Sequence, residues 1–391
     1  MMQINIKVSN EILDWIVTHV QIETLPEQIQ EHLEMWRSGV KTPTFNQIEK
    51  TSKATGIPLG YFFLQSPPNE NLSLVEYRTV DSVALEKPSR NLMDTMHDME
   101  LVQQWTRDYL ISEGNAALSF VGNNKEITNI SFFANSIRNI LHLSNDWFKE
   151  SKTSDDAFRL IRTAISNSGV IVMMSGIVGS NTHRALNIDE FRAFAMVDDF
   201  APLIFINSND SINGKLFSLL HEFAHICIGE NSLFNDRYSN GKEIKKTESI
   251  CNAVAAEILV PQVFFKEKWN STIINYEAKK TISILSESFK CGVTVIARKA
   301  LDNNFIDISL YDEMAQLAVK NYFDYRKRRK EDSGGGDYYR TLSSRIDHRF
   351  FGMLRNSAAE GKTLYSDAFR LTNTNRSTFA TLAEKLGDGI R

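Results

Sequence analysis

The sequence predicts an α+β protein that is mostly helical and contains one small sheet. Apolar residues repeat at helical spacing through most of the 391 residues. Three short segments between 169 and 206 are apolar and rich in β-branched and aromatic residues, and an apolar helix pattern follows them directly. We predict four parts, at residues 1–66, 67–152, 153–310 and 311–391, because the chain is long enough for several cores.

The composition is that of an ordinary globular protein. A net charge of -4 gives the whole molecule no general affinity for polyanions. The first twenty residues lack the cationic start and apolar centre of a signal peptide, and no stretch reaches membrane-spanning length. The cysteines form no metal or redox spacing, which is typical of a reducing compartment. We therefore predict a cytoplasmic protein with no membrane partner.

Residues 8–66 predict a small helical unit. Its predicted helices are Ser9 to Val20, Pro26 to Gly39 and Thr44 to Thr55, which Gly56 ends, followed by a short apolar end from Leu59 to Leu64. The run WRSGVKTPTFNQIEKTSKATGIPLGYFFL resembles the later half of an XRE-type helix-turn-helix domain, and the resemblance implies DNA binding.

The charges of this unit speak partly against DNA. The helix that would enter the major groove, Glu27 to Trp36, carries three glutamates and no lysine or arginine. Carboxylates that face phosphates remove the main source of affinity. The candidate phosphate contacts are Arg37, Lys41, Lys50 and Lys53. A degenerate module that serves protein contacts or dimerisation is the alternative.

In the middle of the chain, the sequence pattern predicts helices first and then strands. Pro67 and Pro68 mark a hinge. Helix patterns follow at 91–111, 127–143 and 157–166, the last with Ser154 as N-cap. Strands are predicted at 169–177, 191–197 and 203–206, with a loop at 179–189.

The apolar helix pattern from Gly214 to Ile228 contains the spacing HExxH. Residues four apart lie on one face of a helix, so His221 and His225 can direct their imidazoles at one metal ion. Glu222 lies beside that face, where it can act as a general base toward water. Two imidazoles suit Zn²⁺ better than magnesium or calcium. Unpaired buried polar groups are costly, so two histidines and a glutamate on a buried helix need a partner. We predict that this partner is a zinc ion.

A catalytic zinc needs a third protein ligand and keeps a fourth position for water. The next helix pattern, 245–260, ends at Pro261 and offers two carboxylates. Glu257 lies about half a turn round the helix from Glu248, at ~100° per residue, so only one of them can face the histidines. We predict Glu248, supported by Asn252 four residues on, and a structural partner for Glu257.

The two segments HEFAH and ESICNAVAAEILVP together resemble the ImmA/IrrE family of zinc metallo-endopeptidases, and the likeness begins at Gly169. The resemblance implies a zincin-like arrangement in which His221, His225 and Glu248 bind zinc and Glu222 is the base. We interpret the cysteines as small buried hydrophobes. A cysteine thiol as zinc ligand is the alternative, because Cys227 and Cys251 lie near the motif. Cys227 would point away from His225 on a helix. The third cysteine is Cys291.

In zincin-like peptidases an edge strand aligns an extended peptide by backbone pairing, and we expect the same here. The loop after the first strand and the start of the second offer candidates for stabilising the oxyanion, namely His183, Arg184 and Arg192. Solvated loop residues, or an arginine paired with a structural acid, are the favoured interpretation.

Past the motif, the polar run from Ser232 to Lys242 predicts a mobile rim of the cleft. Residues 281–304 form a second helix-turn-helix-like pattern, for which an αα-hairpin that packs on the catalytic domain is the favoured interpretation.

Residues 311–391 predict a basic, folded helical domain with a flexible joint at 333–336. Residues 320–391 hold 15 Lys/Arg against 9 Asp/Glu, so this end is positive. Arg326, Arg328 and Arg329 are candidate contacts to nucleic acid or to an acidic protein, with a solvated helical face as the alternative.

The main functional hypothesis is a zinc-dependent endopeptidase that acts on a cytosolic regulator or repressor protein. The substrate class is implied by the resemblance, because ImmA/IrrE proteins act on DNA-bound repressors. The fused helix-turn-helix pattern fits a stress, mobile-element or toxin–antitoxin context. The alternative is a non-proteolytic regulator or antitoxin that binds a toxin protein or DNA, with a structural or vestigial metal site. The sequence does not predict the oligomeric state.

Overall fold

Helices make up most of the computed structural model, which describes residues 6–20, 22–68, 88–124, 129–234, 246–331 and 338–387. A single four-stranded sheet accompanies them in these ranges, so the predicted α+β class is confirmed. The chain divides into two units, one holding Met1–Met99 with Gly176–Asn187 and the other Glu100–Ser175 with Ile188–Arg391. The four-part division stays a prediction.

The first unit contains the three predicted N-terminal helices. They are α1 (Asn10–His19), α2 (Glu27–Arg37) and α3 (Phe45–Thr55), followed by a 3₁₀ turn at Leu59–Phe63 and the first part of α4 (Arg90–Ser112). Ser9 caps α1, and Thr44 forms a capping box with Gln47 at the start of α3. Gly56 ends α3 in the left-handed conformation, as predicted.

A small apolar core holds these helices together. It is formed by Ile12, Leu13, Ile16, Leu33, Trp36, Ile48 and Phe62, all of them nearly inaccessible to solvent. Segment 176–187 returns to this unit, where Ile177 and Ala185 form a β-bridge. Its Arg184 is buried and pairs with Asp94 at 2.7 Å.

The second unit carries the sheet and the remaining helices. The helices before the sheet are α5 (Ile130–Ile140) and α6 (Ser154–Asn167), with a 3₁₀ turn at Trp147–Glu150 between them. The helices after it are α7 (Ile212–Ile228), α8 (Lys246–Leu259), α9 (Gln262–Ile273), α10 (Ala278–Phe289), α11 (Val293–Asp302), α12 (Ile308–Glu331), α13 (Tyr338–Arg345), α14 (His348–Ala359), α15 (Tyr365–Leu371) and α16 (Arg376–Gly387). The predicted N-cap of α6 was off by one residue, because Thr153 and Asp156 form the capping box that starts it.

The sheet has the order β1-β3-β2-β4. Its strands are β1 (Ile171–Ser175), β2 (Ala193–Met196), β3 (Leu203–Asn207) and β4 (Ser232–Phe234). β1 runs parallel to β3, and the other two pairings are antiparallel. The strand β4 corrects the prediction of a polar rim, since Ser232 pairs with Ala195 at the sheet edge. The rest of that rim, 235–242, lies outside the described residues, as does the joint at 333–336.

Helix α7 is the centre of the second unit. It packs on β2, β3 and β4 of the sheet and on the helices α6 and α8. The apolar core around it includes Leu219, Leu220, Phe223 and Ala224, which have no solvent exposure. The C-terminal helices join the same unit through Asp347, whose carboxylate accepts a hydrogen bond from the backbone of Val172 at 3.1 Å.

In the described part of the chain, no single helix combines the length and apolar character that a membrane span requires; α8 and α9, which meet at a 60° bend, would do so only as a pair.

We predict that Gly56→Ala destabilises the protein more than Gly39→Ala. Both glycines have a φ near +72°, which costs a residue with a Cβ about 1–2 kcal/mol. A Cβ at Gly56 would also lie 2.0 Å from the Arg184 guanidinium, whereas one at Gly39 meets nothing within 4 Å. Overpacking adds roughly 1–3 kcal/mol, which urea denaturation can measure. Equal losses for the two variants would contradict the packing of Arg184 on α3.

Candidate metal centre

The HExxH segment lies in α7, and local sequence sets both ends of this helix. The Ser211 side chain accepts a hydrogen bond from the Gly214 amide, and Gly229 ends the helix with a φ of 88°. All residues from Ser218 to Ile228 are buried. The polar side chains in this stretch therefore need partners inside the protein.

Two histidines and one glutamate meet between α7 and α8. His225 Nε2 lies 3.1 Å from His221 Nε2, and the carboxylate oxygens of Glu248 lie 3.2 Å and 3.1 Å from these two nitrogens. A tetrahedral ion with bonds of ~2.0–2.1 Å separates its ligand atoms by roughly 3.3 Å, so the observed spacing fits a small ion between them. Among the residues that the structure describes, this is the group of ligand side chains able to hold a metal.

The charges of this group are strongly coupled. Burial lowers the pKa of His221 and keeps its imidazole neutral. Burial alone would raise the pKa of Glu248, but hydrogen bonds with both histidines bring that pKa well below its usual range. Burial also opposes protonation of His225, yet its hydrogen bonds with Cys251 and Glu248 raise the pKa well above the ordinary value. Without a metal, Glu248 is ionised and His225 carries a proton.

Glu222 lies beside this group and is completely buried. Its Oε2 accepts a short hydrogen bond from Ser232 Oγ on β4, while Oε1 has no hydrogen-bond partner among the described residues. Burial raises the pKa of Glu222 to about 7, against the opposing effects of His225 and Ser232. A carboxylate with this pKa and one unoccupied oxygen can accept and return a proton near neutral pH.

Side chains around the histidines fix their rings. The Phe234 ring on β4 lies 4.2 Å from the His221 ring, measured between centroids. Asn252, predicted to support Glu248, interacts with His221, where it opposes part of the lowering of the pKa by burial. The Cys251 thiol hydrogen-bonds His225, but it is not one of the three side chains that could hold a metal. The Nδ1 atoms of both histidines have no hydrogen-bond partner among the described residues, so packing against these neighbours is what restrains the rings.

The second carboxylate of α8 has a structural partner, as predicted. Glu257 Oε2 lies 2.5 Å from Lys299 Nζ, and Glu257 Oε1 accepts a hydrogen bond from the Gln262 amide at 3.0 Å. The Glu257 carbonyl accepts a further bond from Arg138 at 2.6 Å. The periodicity of α8 thus separates the two acids, one toward α7 and one toward α11.

Two of the predicted oxyanion candidates belong to the first unit, and both arginines pair with acids. Arg184 belongs to the first unit, where Asp94 and Asn91 hold its guanidinium. Arg192 pairs with Asp210 at 2.9 Å. Each guanidinium thus pairs with a structural acid, which is the interpretation that the sequence favoured over a role at the oxyanion. His183 is an exposed residue of the first unit, and its role stays a prediction.

The structure describes the side chains of only some of the predicted nucleic-acid contacts. Arg37 is exposed and pairs with Asp14 at 2.5 Å, and Lys41 is exposed nearby in the chain. Arg326, Arg328 and Arg329 belong to the last turns of α12, and their side chains lie outside the described part of the structure.

Ser232 and Phe234 contact the site residues Glu222 and His221, a pair of contacts that the sequence did not predict. Both come from a three-residue strand, which is too short to show an alternating pattern. The only available signal was an apolar pair, Leu233-Phe234, inside a run that is otherwise polar.

A buried HExxH helix, a glutamate from the next helix and an adjoining sheet together define a metallopeptidase-like domain. In agreement, residues 178–300 match the family model of the IrrE N-terminal-like domain, a peptidase family. These 123 of the 391 residues include α7 and α8. Residues 346–385 match a second model, described as a domain of unknown function. No curated protein and no solved structure matches the chain.

We predict that zinc affinity rises with pH. His225 carries a proton in the metal-free protein because its pKa is raised, and a metal must displace that proton. Below this pKa the apparent affinity should increase about tenfold per pH unit. Competition with a chromophoric chelator between pH 6 and 8 measures it, with His221→Ala as the variant that loses binding. An affinity independent of pH would contradict the proton on His225.

We predict that Lys299→Met destabilises the protein far more than Lys279→Met. Lys299 is buried with Glu257, so its loss leaves an uncompensated carboxylate, at a cost of about 3–5 kcal/mol. Lys279 forms an exposed ion pair with Glu313, which contributes at most ~1 kcal/mol. The free energies of unfolding in urea distinguish the two. A small effect at Lys299 would show that the buried pair does not stabilise α8.

Proposed function

We propose that the second unit is a zinc-dependent endopeptidase domain. The observation that carries this proposal is the buried group of His221, His225 and Glu248, with the unoccupied oxygen of Glu222 beside it. Two imidazoles and one carboxylate suit Zn²⁺, whereas magnesium and calcium prefer oxygen ligands. When bound, zinc lowers the pKa of water toward ~7 and polarises the scissile carbonyl.

Glu222 is the general base of this mechanism. Ser232 holds Oε2, so Oε1 is the oxygen left to take a proton from the attacking water. The protonated carboxyl then returns the proton to the leaving amine, which completes the peptide cleavage. Burial supports both steps, because it raises the pKa of Glu222 to about 7.

The proposed substrate is an extended polypeptide. β4 lies at the edge of the sheet and contacts the site through Ser232 and Phe234. An edge strand has backbone groups available for pairing with another chain, which selects extended peptides. The resemblance to ImmA/IrrE proteins supports a cytosolic regulator or repressor as the natural substrate.

One observation favours a second candidate function. His221, Glu222 and His225 are completely buried, and only Glu248 of the site is slightly exposed. A closed site of this kind also suits a structural metal in a non-proteolytic regulator that binds a toxin protein or DNA. The two candidates differ in the role of Glu222, which a structural site does not require.

We predict that Glu222→Gln keeps the metal and abolishes cleavage, because the amide cannot accept the proton while the three ligand side chains remain. The wild-type chain, Glu222→Gln and His221→Ala are each incubated with a lysate of the source organism. Mass spectrometry of newly formed N-termini identifies cleaved proteins, and metal analysis reports zinc per chain. We expect new N-termini only in the sample with the wild type. Zinc should be present in the wild type and in Glu222→Gln, and absent from His221→Ala.

The control for stability is the melting temperature of each zinc-loaded variant. Identical N-termini for wild type and Glu222→Gln would contradict the mechanism. Zinc in both proteins without new N-termini in either would favour the structural metal site.

A further inference from the structure

Helices α15 and α16 have the connection of a helix-turn-helix motif. Four residues join them, a length typical of such turns. Within the turn, Asn373 adopts a left-handed conformation with a φ of 51°, which asparagine tolerates better than most residues. Asn375 Oδ1 accepts a hydrogen bond from the Thr378 amide at 2.9 Å and so caps α16. Asn373 and Asn375 therefore stabilise the turn and the start of α16.

Helix α14 packs across this pair and completes a three-helix unit. Phe379 of α16 contacts Phe351 of α14 and Phe369 of α15, with ring centroids 5.2 Å and 5.5 Å apart. Leu354 and Leu382 are fully buried beside them. The domain of unknown function, residues 346–385, coincides with these three helices. Helix α13 also packs on α16, and α14 contacts α6, so the helix pair is held within the second unit.

The outward face of α16 is polar and basic at its start. The helix buries Thr378, Phe379 and Leu382. Its exposed residues are Arg376, Ser377, Ala380, Glu384 and Lys385. The first two turns of this face carry a cation, small side chains and no carboxylate. Such a face can approach a phosphate backbone and the base edges beside it.

The three helices carry a small excess of cations. Residues 346–387 contain six Lys/Arg and four Asp/Glu. Two of the acids near α16 are already engaged, since Asp347 is buried as the cap of α14 and Asp367 pairs with Arg370. Neutralising phosphates with lysine and arginine is the main source of affinity for a duplex.

The other helix-turn-helix-like segments lack such a face. On α2 the exposed residues include Glu27, Glu31 and Glu34, which would repel phosphates. On α11 the exposed residues are Arg298 and Asp302, which pair with each other at 3.0 Å. The helices α10 and α11 instead form an αα-hairpin of the second unit, the interpretation that the sequence favoured.

We propose that α14–α16 form a binding unit for double-stranded DNA, with α16 as the recognition helix in the major groove. This site is separate from the metal group, so it stands whether or not the protein cleaves peptides. Arg376 and Ser377 lie where a recognition helix contacts the duplex.

The test is fluorescence anisotropy of the full chain with a labelled 30-base-pair duplex of random sequence, at 50 and 200 mM NaCl. The wild type should bind and lose at least tenfold in affinity at the higher salt. Arg376→Ala should weaken binding about tenfold and reduce the salt slope by about one. Glu384→Gln should tighten binding, because it removes a carboxylate from the same face. Ser377→Asp should abolish binding, because it adds a carboxylate there.

Arg298→Ala on α11 and Lys279→Met on α10 are the matched controls, and both should bind as the wild type does. Circular dichroism checks that each variant is folded. The proposal is overturned by a wild type that shows no salt-dependent binding, or by an Arg376→Ala variant that binds equally well. Loss of binding in either control, or equal competition by single-stranded RNA, also overturns it.

Discussion

The convergence of Glu248 on His221 and His225 is the contact on which the rest of the second unit depends. Three side chains of this kind are costly to bury without a cation, because an ionised carboxylate and a protonated imidazole must share one closed space. A metal ion removes that cost by allowing both imidazoles to be neutral. Apolar side chains packed around α7 keep this group away from solvent.

Contacts far from the histidines hold α8 in place. At its C-terminal end, Lys299 neutralises Glu257, while Arg138 and Trp147 donate hydrogen bonds to the carbonyls of Glu257 and Ile258. Cations near the last carbonyls of a helix are also favoured by its dipole. On the other side, β4 places Ser232 against Glu222. The site is thus fixed by α5, α11 and the sheet as well as by the two helices that carry it.

The parts of the site that local helical periodicity determines could be predicted from the sequence. The HExxH spacing placed both histidines on one face, and the 100° step of a helix separated Glu248 from Glu257. Prediction failed where the partner is distant along the chain and the local signal is short. The strand with Ser232 has three residues, and the identity of the acid that pairs with Arg192 depends on how the strands meet. Charge counts likewise do not identify the acids that pair with Arg37 and Arg184.

X-ray absorption of the zinc-loaded protein tests the central claim most directly, since it reports the atoms bound to the metal. We predict one zinc per chain, with nitrogen and oxygen atoms at ~2.0–2.1 Å in a four-coordinate shell. Glu248→Ala should bind zinc much more weakly, whereas Cys251→Ala should leave the affinity and the shell unchanged. A sulfur atom at ~2.3 Å, or an unchanged zinc affinity in Glu248→Ala, would contradict the assignment of Glu248 as the third ligand.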